Sequence, residues 1–407
     1  MDKKKIIYIL AFIVIAGLLA FLIYRIFFYT KPETLIIGPD GTITTTGQTG
    51  LFPQSGEGKP STTTSGTSGQ KLPTAGTISP TSKRPGERTV EKTVDIPIIS
   101  ATKDISGNAR FYNDVDGKFY RLNSDGKVES LSDEVFYNVK NVTWSPVNED
   151  AIIEYPDGAN IYYNFKTKEQ VTLPKHWEDF SFSDTGDKIA SKSVGLSPEN
   201  QWIITANPDG KNIKLIEPMG ENAAKVNVDW SPNKQIVATS RTGDALGADR
   251  EEILMVGLNG ENFKSIVVEG RGIQSQWSTE GKKLLYSVYS ERSDFKPELW
   301  IVNSYGDKIG SGRSYLNLNT WAEKCTFQDE RFVYCAVPTQ LERGAGFAPA
   351  LYDSTPDQIY RVDLQTGIKT EIPVSEDRTI TNMFISSDGK TLQFTDENEG
   401  GLFSIDL

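Results

Sequence analysis

The sequence predicts an all-β fold built from repeated four-stranded units. Its clearest repeat runs from Val226 to Ser240, where alternating apolar residues lead through Trp230 and a Ser-Pro-Asn turn into a second β-rich run. Proline presets the first turn position and asparagine tolerates the next, so this stretch predicts a β-hairpin. From about Val94 onward, short strands alternate with Gly, Asn, Asp and Pro turns without a long helical period, which is typical of an all-β chain.

The hairpin phrase recurs along the chain. Related copies begin at Val142, Phe180, Gln276 and Met383. Successive copies are roughly 40 to 60 residues apart, the range in which four-stranded propeller blades repeat, except that the sixth unit lies between the copies at Gln276 and Met383. The spacing predicts seven blades. Six or eight remain open because the sixth unit, residues 321–372, departs from the pattern.

The two ends of the repeat region predict how the ring closes. The last unit, from Ile380 to Leu407, carries only three evident strands, whereas the strand-like stretch from Thr93 to Ile98 has no partner of its own. Pairing this stretch with the last unit completes a blade and removes exposed strand edges. The sequence therefore predicts a seven-bladed β-propeller over residues 93–407.

Several copies share a longer consensus. A Trp-Ser-Pro phrase is followed by Asn or Asp, Gly, Lys and an apolar strand, and later turns carry related residues. The matching stretches are Lys188–Ala190, Lys283–Tyr286, Lys390–Leu392, Asn207–Lys211 and Asn303–Gly306. This pattern resembles the TolB-type propeller repeat, a relative of WD repeats, over about residues 94–407. Phe182 and Phe384 replace its Trp. The resemblance implies a propeller that acts as an extracytoplasmic interaction platform.

The N-terminus predicts a membrane anchor. Lys3 to Lys5 precede an apolar run from Ile6 to Tyr24, which at about 1.5 Å per residue nearly crosses a bilayer's hydrocarbon core. With the aromatic stretch that follows, residues 6–29 are predicted to form one transmembrane helix. The lysines place residues 1–5 in the cytoplasm and the propeller outside it. The alternative is a cleaved signal peptide, but the long run and its bulky far end favour the anchor.

The next segment, residues 30–92, predicts a disordered linker. Thr, Ser, Gly and Pro dominate most of it, and such a composition cannot bury enough apolar surface to offset its chain entropy. The exception is Leu35–Ile43, which has hairpin character. The linker is therefore expected to act as a flexible tether between anchor and propeller.

Composition and motifs exclude several function classes. The chain has 43 Lys and Arg against 54 Asp and Glu, a net charge of −11, which argues against nucleic acid as a partner. The single histidine, His176, has no second histidine to support a metal site, and the sequence has no Gly-x-Ser-x-Gly elbow. Asp-Gly pairs such as Asp116–Gly117 and Asp388–Gly389 predict turns, since the later ligands of a calcium loop are missing. We therefore predict no catalytic residue, no cofactor and no metal.

Cys325 and Cys335 are the only cysteines. They flank a presumed turn and lie equally far from Glu330, so they are expected to face each other across two antiparallel strands. An extracytoplasmic location permits a disulfide between them. Two reduced core thiols are the alternative.

Long insertions fall repeatedly on one side of the predicted propeller. The connection between the second and third strands of a blade lies on the same face as the blade-to-blade connections, and it is expanded at residues 193–200, 241–251, 290–297 and 339–357. Long loops on a rigid scaffold commonly carry binding, although neutral decoration is the alternative. The predicted partner-binding residues are Arg241, Asp244, Asp249, Arg250, Arg292, Asp294, Phe295, Arg343, Phe347 and Tyr352.

These features favour a non-catalytic function. The leading hypothesis is a membrane-anchored platform that binds a protein or a cell-envelope polymer through its loops. The alternative is a glycan hydrolase or lyase with paired carboxylates, of which one is ionised and the other is held protonated.

Overall fold

The computed structural model describes residues 86–261 and 263–407, together with the backbone of Ile36–Ile37 and Ile43–Thr44. The predicted tail, the predicted anchor and most of the predicted linker lie outside the described residues. Among the residues that are described, no helix is both long and apolar enough to cross a membrane.

The chain divides into two units, Met1–Gly76 and Thr77–Leu407. In the first unit, β1 (Ile36–Ile37) pairs with β2 (Ile43–Thr44) in antiparallel register. This pairing lies where the sequence indicated a hairpin.

The second unit consists of seven antiparallel sheets of four strands each, which confirms the predicted seven-bladed β-propeller. The first strands of neighbouring blades contact one another, so they line the centre of the ring. In blade order, from the innermost strand outward, the strands are β4 (Ile99–Lys103), β5 (Ala109–Asn113), β6 (Lys118–Leu122) and β7 (Val128–Ser130); β8 (Asn141–Trp144), β9 (Asp150–Glu154), β10 (Asn160–Asn164) and β11 (Glu169–Leu173); β12 (Trp177–Phe182), β13 (Ile189–Val194), β14 (Gln201–Ala206) and β15 (Lys214–Pro218); β16 (Val226–Val228), β17 (Ile236–Ser240), β18 (Glu251–Gly257) and β19 (Ile266–Val268); β20 (Arg271–Trp277), β21 (Lys283–Tyr289), β22 (Glu298–Asn303) and β23 (Ser314–Tyr315); β24 (Cys325–Phe327), β25 (Phe332–Pro338), β26 (Asp357–Asp363) and β27 (Lys369–Ile372); and β28 (Ile380–Ile385), β29 (Thr391–Asp396), β30 (Leu402–Asp406) and β3 (Glu91–Val94).

Short helices occur only in the connections of the described residues. They are 3₁₀ helices at Pro198–Asn200, Gly220–Lys225, Glu291–Ser293, Gly306–Lys308, Ala322–Lys324, Ala345–Phe347 and Pro349–Tyr352.

The ring closes as the sequence predicted. The N-terminal strand β3 pairs antiparallel with β30, with Val94 opposite Leu402, and so supplies the outer strand of blade 7. It begins at Glu91, slightly before the expected start of the propeller.

One apolar core lies between each pair of neighbouring blades. Between blades 1 and 2, for example, the ring of Phe119 lies 5.5 Å from that of Trp144 and 4.9 Å from that of Phe165. A single blade cannot bury its own apolar faces, so each repeat depends on its neighbours for stability.

Strand alternation gives the ring two distinct faces. The turn-rich face carries the connections from first to second and from third to fourth strands, such as residues 229–235 and 278–282. The loop-rich face carries the connections from second to third strands and from blade to blade. Most turn-rich connections are short, as predicted; the longest is residues 304–313.

The repeated turn phrase ties the turn-rich face together. The Ser231 hydroxyl accepts the Ile236 N–H (2.9 Å), and that of Ser278 accepts the Lys283 N–H (2.9 Å). The amide of Asn233 then donates to the carbonyl of Gly281 in the next blade (2.6 Å). Blades 2 and 3 and blades 6 and 7 are joined in the same way. These turns therefore belong to the scaffold.

The Asp-Gly pairs are also turn elements. The carboxylates of Asp116, Asp125, Asp209 and Asp388 each accept the backbone N–H two residues further on. This bond closes an Asx turn. The prediction of turn chemistry at these positions is confirmed.

Candidate functional site

All four expanded connections lie on the loop-rich face, as the sequence predicted. They occupy residues 195–200, 241–250, 290–297 and 339–356, each between the second and third strands of its blade. The loop-rich face therefore carries the side chains that are candidates for binding.

The loops of blades 5 and 6 are locked together. The Gly344 N–H donates to the Asp294 carbonyl (2.9 Å), and the Gly346 N–H donates to the Phe295 carbonyl (2.7 Å). Glycine is required at position 346, because a Cβ there would come within 2.5 Å of the Tyr289 side chain. Two backbone hydrogen bonds thus make one rigid surface from two long loops.

This surface carries an aromatic ledge, formed by the rings of Tyr289, Phe295 and Phe347, and Leu351 lies on the adjoining 3₁₀ helix. The ring of Phe347 lies 4.7 Å from that of Tyr289 and 5.0 Å from that of Phe295. Nevertheless, 61% of Phe347 and 77% of Leu351 remain exposed. A cavity of about 200 Å³ opens beside the ledge and reaches Trp321. The ledge can therefore hold an apolar side chain of a partner.

Other predicted residues of these two loops are placed differently. The guanidinium of Arg292 pairs with the buried Glu298 carboxylate (2.9 Å) and lies over the Trp300 ring, so it is occupied within blade 5. The ring of Tyr352 lies 6.1 Å from that of Trp321. Arg343 is exposed.

The predicted residues of blade 4 form a separate group. The guanidinium of Arg241 donates to the Ala224 carbonyl (3.0 Å). The Asp244 N–H donates to the Glu252 carboxylate (2.9 Å), which orders the loop. The side chains of Asp244, Asp249 and Arg250 are exposed. The structure thus places the predicted residues in two groups, one on the loops of blades 5 and 6 and the other on the loop of blade 4.

A cavity of about 880 Å³ opens on the same face among the innermost strands of blades 2 to 5. We call it the channel-mouth cavity. Its charged lining residues are Lys140, Glu154, Lys175, Glu178, Asp179, Lys192, Lys225 and Arg241. Of these, only Arg241 was predicted from the sequence.

Asp179 owes its position to a β-bulge in the innermost strand of blade 3. Its backbone has a φ of 60°, and the register shifts between Glu178 and Ser181. The carboxylate accepts the Val228 N–H of the next blade (2.8 Å) and lies 3.2 Å from the Lys192 ammonium. The bulge thereby joins blades 3 and 4 at the cavity.

Two further carboxyl groups near the cavity have a raised pKa. Burial, together with the charge of Asp179, raises the pKa of Asp229 to about 7. Burial also raises the pKa of Glu154, whereas a hydrogen bond from the Asn141 amide (2.6 Å) opposes that rise. In the described part of the chain, no three His, Cys, Asp or Glu side chains converge as a metal site does.

Sequence reasoning missed most of the cavity because its lining comes from four blades. One local pattern does indicate the cavity. Glu178 and Asp179 follow Trp177 directly at the start of a strand whose other residues are mostly apolar. Two acids on an innermost strand indicate that it faces an opening. The single histidine, His176, is exposed at the edge of this region.

The two cysteines lie in the scaffold of blade 6. Cys325 on β24 is directly opposite Cys335 on β25, and their sulfurs form a disulfide. Their exposed fractions are 2% and 0%. A partner on the loop-rich face would therefore not contact them.

Fold and site together define a seven-bladed β-propeller with one expanded face. No protein-family model matches the sequence, and no curated protein matches it either. Solved structures do match in fold. Oligogalacturonate lyase from Vibrio parahaemolyticus aligns over 78% of this chain and 93% of its own, with 10% identity and a TM-score of 0.53.

Two other solved structures are similar. The β-propeller domain of Cps50 from Myceliophteria thermophila aligns over 78% of this chain and 99% of its own, with 10% identity and a TM-score of 0.50. The tricorn protease aligns over 77% of this chain, with 12% identity and a TM-score of 0.50, but the match spans only 34% of that protein. At such identities the likeness establishes the fold alone.

Proposed function

We propose that this protein is a non-catalytic binding propeller whose loop-rich face holds a protein or a cell-envelope polymer. The observation that carries the proposal is the aromatic ledge, where Phe347 and the adjoining Leu351 stay exposed on two loops locked by backbone hydrogen bonds. Rigid apolar anchors on a preorganised surface are typical of binding hot spots. The resemblance of the repeats to TolB-type propellers supports the same role.

We further propose that the propeller is anchored to a membrane and lies outside the cytoplasm. The support is the apolar run over residues 6–29 with lysines before it. Deleting residues 1–29 should release the protein from sedimented membranes. Protease added to intact cells should degrade the propeller of the full-length chain. A full-length chain that stays protected from added protease would contradict this orientation.

The binding role is tested with matched surface variants. Phe347→Ser combined with Leu351→Ser should reduce crosslinked partner capture from intact cells at least about tenfold, because truncated hot-spot residues commonly cost more than 1 kcal/mol each. Ile105→Ser combined with Ile368→Ser, which changes similarly exposed apolar residues on the turn-rich face, should leave capture unchanged. Equal capture by both double variants would refute the proposal.

An enzyme remains the second candidate because of one observation. Burial and the charge of Asp179 raise the pKa of Asp229 to about 7, so a carboxyl group that can hold a proton near neutral pH lies beside a second carboxyl group, as acid–base catalysis requires. However, Asp179 is already bound by Val228 and Lys192. A glycan hydrolase or lyase would lose product formation from envelope glycans on Asp229→Asn, whereas a binding propeller would show no turnover in either form.

A further inference from the structure

Several cationic side chains at the channel-mouth cavity form no ion pair with any described residue. We propose that the cavity binds a short acidic peptide segment of the partner, an inference that rests on the proposed binding function and specifies one of its contacts.

Three cations at the cavity form no ion pair with the described residues. In the described part of the chain, the ammonium groups of Lys140 and Lys225 make no ion pair or hydrogen bond, and both residues are exposed. Arg241 donates one N–H to the Ala224 carbonyl, which leaves its other donors open. The three residues come from three different connections and meet at one opening.

The carboxylates at the cavity are mostly occupied. Asp179 is bound by Lys192 and by a backbone N–H, and Glu154 accepts the Asn141 amide. Only Glu178 has a carboxylate without such a partner among the described residues. The Asn141 amide is neutral, so Glu154 keeps its charge and lies within the electrostatic reach of Lys140. Among the described residues, three cations without an ion pair therefore face two carboxylates without one, Glu154 and Glu178, and the cavity keeps an excess of positive charge.

The charge of the whole chain limits the size of this ligand. With a net charge of −11, the protein repels a long polyanion beyond the cavity. Charges separated by more than about 8 Å are largely screened at physiological ionic strength, so the local lysines dominate inside the opening. A compact segment with a few carboxylates satisfies both conditions.

The surroundings favour a peptide over an acidic glycan. Sugars commonly stack on exposed aromatic faces, whereas two of the three aromatic residues that line this cavity, Trp177 and Phe180, are only 3% and 7% exposed, and the third, Tyr155, is half-buried. Gly272 lines both this cavity and the smaller one beside the aromatic ledge, so the two openings adjoin. A peptide with an apolar residue next to an acidic run fits both at once.

The test measures fluorescein-labelled tetraglutamate binding to the full-length protein by fluorescence anisotropy. Lys140→Gln combined with Lys225→Gln should weaken binding about tenfold, because two direct ion contacts are lost. Lys127→Gln combined with Lys166→Gln makes the same change of charge on the turn-rich face and should leave affinity unchanged. Added salt should weaken wild-type binding more than binding by the cavity variant.

Three results would overturn the inference: no saturable binding, equal weakening in both double variants, or binding of tetragalacturonic acid but not of tetraglutamate. Each is separable from failure of the binding role itself. If partner capture persists through the ledge while tetraglutamate does not bind, the inference alone fails. If the ledge variants capture the partner normally, the proposed function fails whatever the peptide result.

Discussion

The two faces of the propeller use polar side chains for opposite purposes. On the turn-rich face, the side chains of Asn233 and Glu330 form hydrogen bonds with backbone groups of the adjacent blade, and these bonds hold neighbouring blades together. On the loop-rich face, the ammonium groups of Lys140 and Lys225 have no partner in the part of the chain that the structure describes, and Phe347 is largely exposed. The repeated motif therefore builds the scaffold, and the variable connections supply the groups available for binding.

The largest expected effect contrasts two glycines, one on each face. Gly281 has a φ of 67°, and a Cβ there would come within 2.7 Å of the Asn233 backbone nitrogen. Gly281→Ala should lower the free energy of unfolding by about 3 kcal/mol, since left-handed strain and a backbone clash add. Gly344→Ala, with a φ of 88° and no contact closer than 3.5 Å, should cost only about 1 kcal/mol. Equal losses in urea unfolding would break the comparison.

The disulfide tests whether blade 6 depends on its cross-link. Replacing Cys325 and Cys335 together with alanine removes a bridge between residues separated by 10 positions. The loop-closure relation predicts a loss of about 2–3 kcal/mol. Wild-type protein unfolded in reducing buffer is the control and should lose a similar amount. No difference between oxidised and reduced protein would show that the hairpin holds without the bond.

Asp229 gives the stability a predictable pH dependence. Its pKa is raised from 3.8 to about 7 in the folded protein, so the folded state binds the proton more tightly than the unfolded state. That contribution is complete below about pH 4 and is lost as the pH rises through 7. Asp229→Asn should flatten this slope and gain about 1–2 kcal/mol at pH 8, allowing for partial solvent contact. Asp244→Asn, at an exposed site, is the control; an unchanged slope in the Asp229 variant would contradict the assignment.

The smallest expected effect concerns the loop arginines. Arg250→Gln and Arg343→Gln should each change the free energy of unfolding by less than about 0.5 kcal/mol, because both side chains are exposed. Arg292→Gln should cost more, since it leaves the buried Glu298 without its cation. Thermal unfolding of the three variants at one pH would rank them. A loss at Arg343 as large as that at Arg292 would mean that Arg343 also has a structural partner.

Part of the fold and part of the candidate site could be predicted from the sequence. Blade number, closure by the N-terminal strand, the face of the insertions and the opposition of Cys325 and Cys335 all followed from periodicity and turn chemistry. The ion pair between Arg292, a predicted binding residue, and Glu298 was not evident from the sequence. The sequence predicted two of the three rings of the ledge, those of Phe295 and Phe347. It did not predict that Tyr289 packs against Phe347.

What the sequence determined by itself is the repeated unit. Each hairpin depends on hydrogen bonds and apolar alternation within a few residues, so Val226–Ser240 specifies its own turn and the face on which its loop opens. Only the tertiary structure decided which loops lock together and which charges meet at the channel mouth. Lys140, Lys225 and Arg241 belong to different connections, and neither their proximity nor the absence of an ion pair to them within the described residues is encoded locally. These properties arise when seven blades close into a ring, because closure alone sets the distances between residues far apart in the chain.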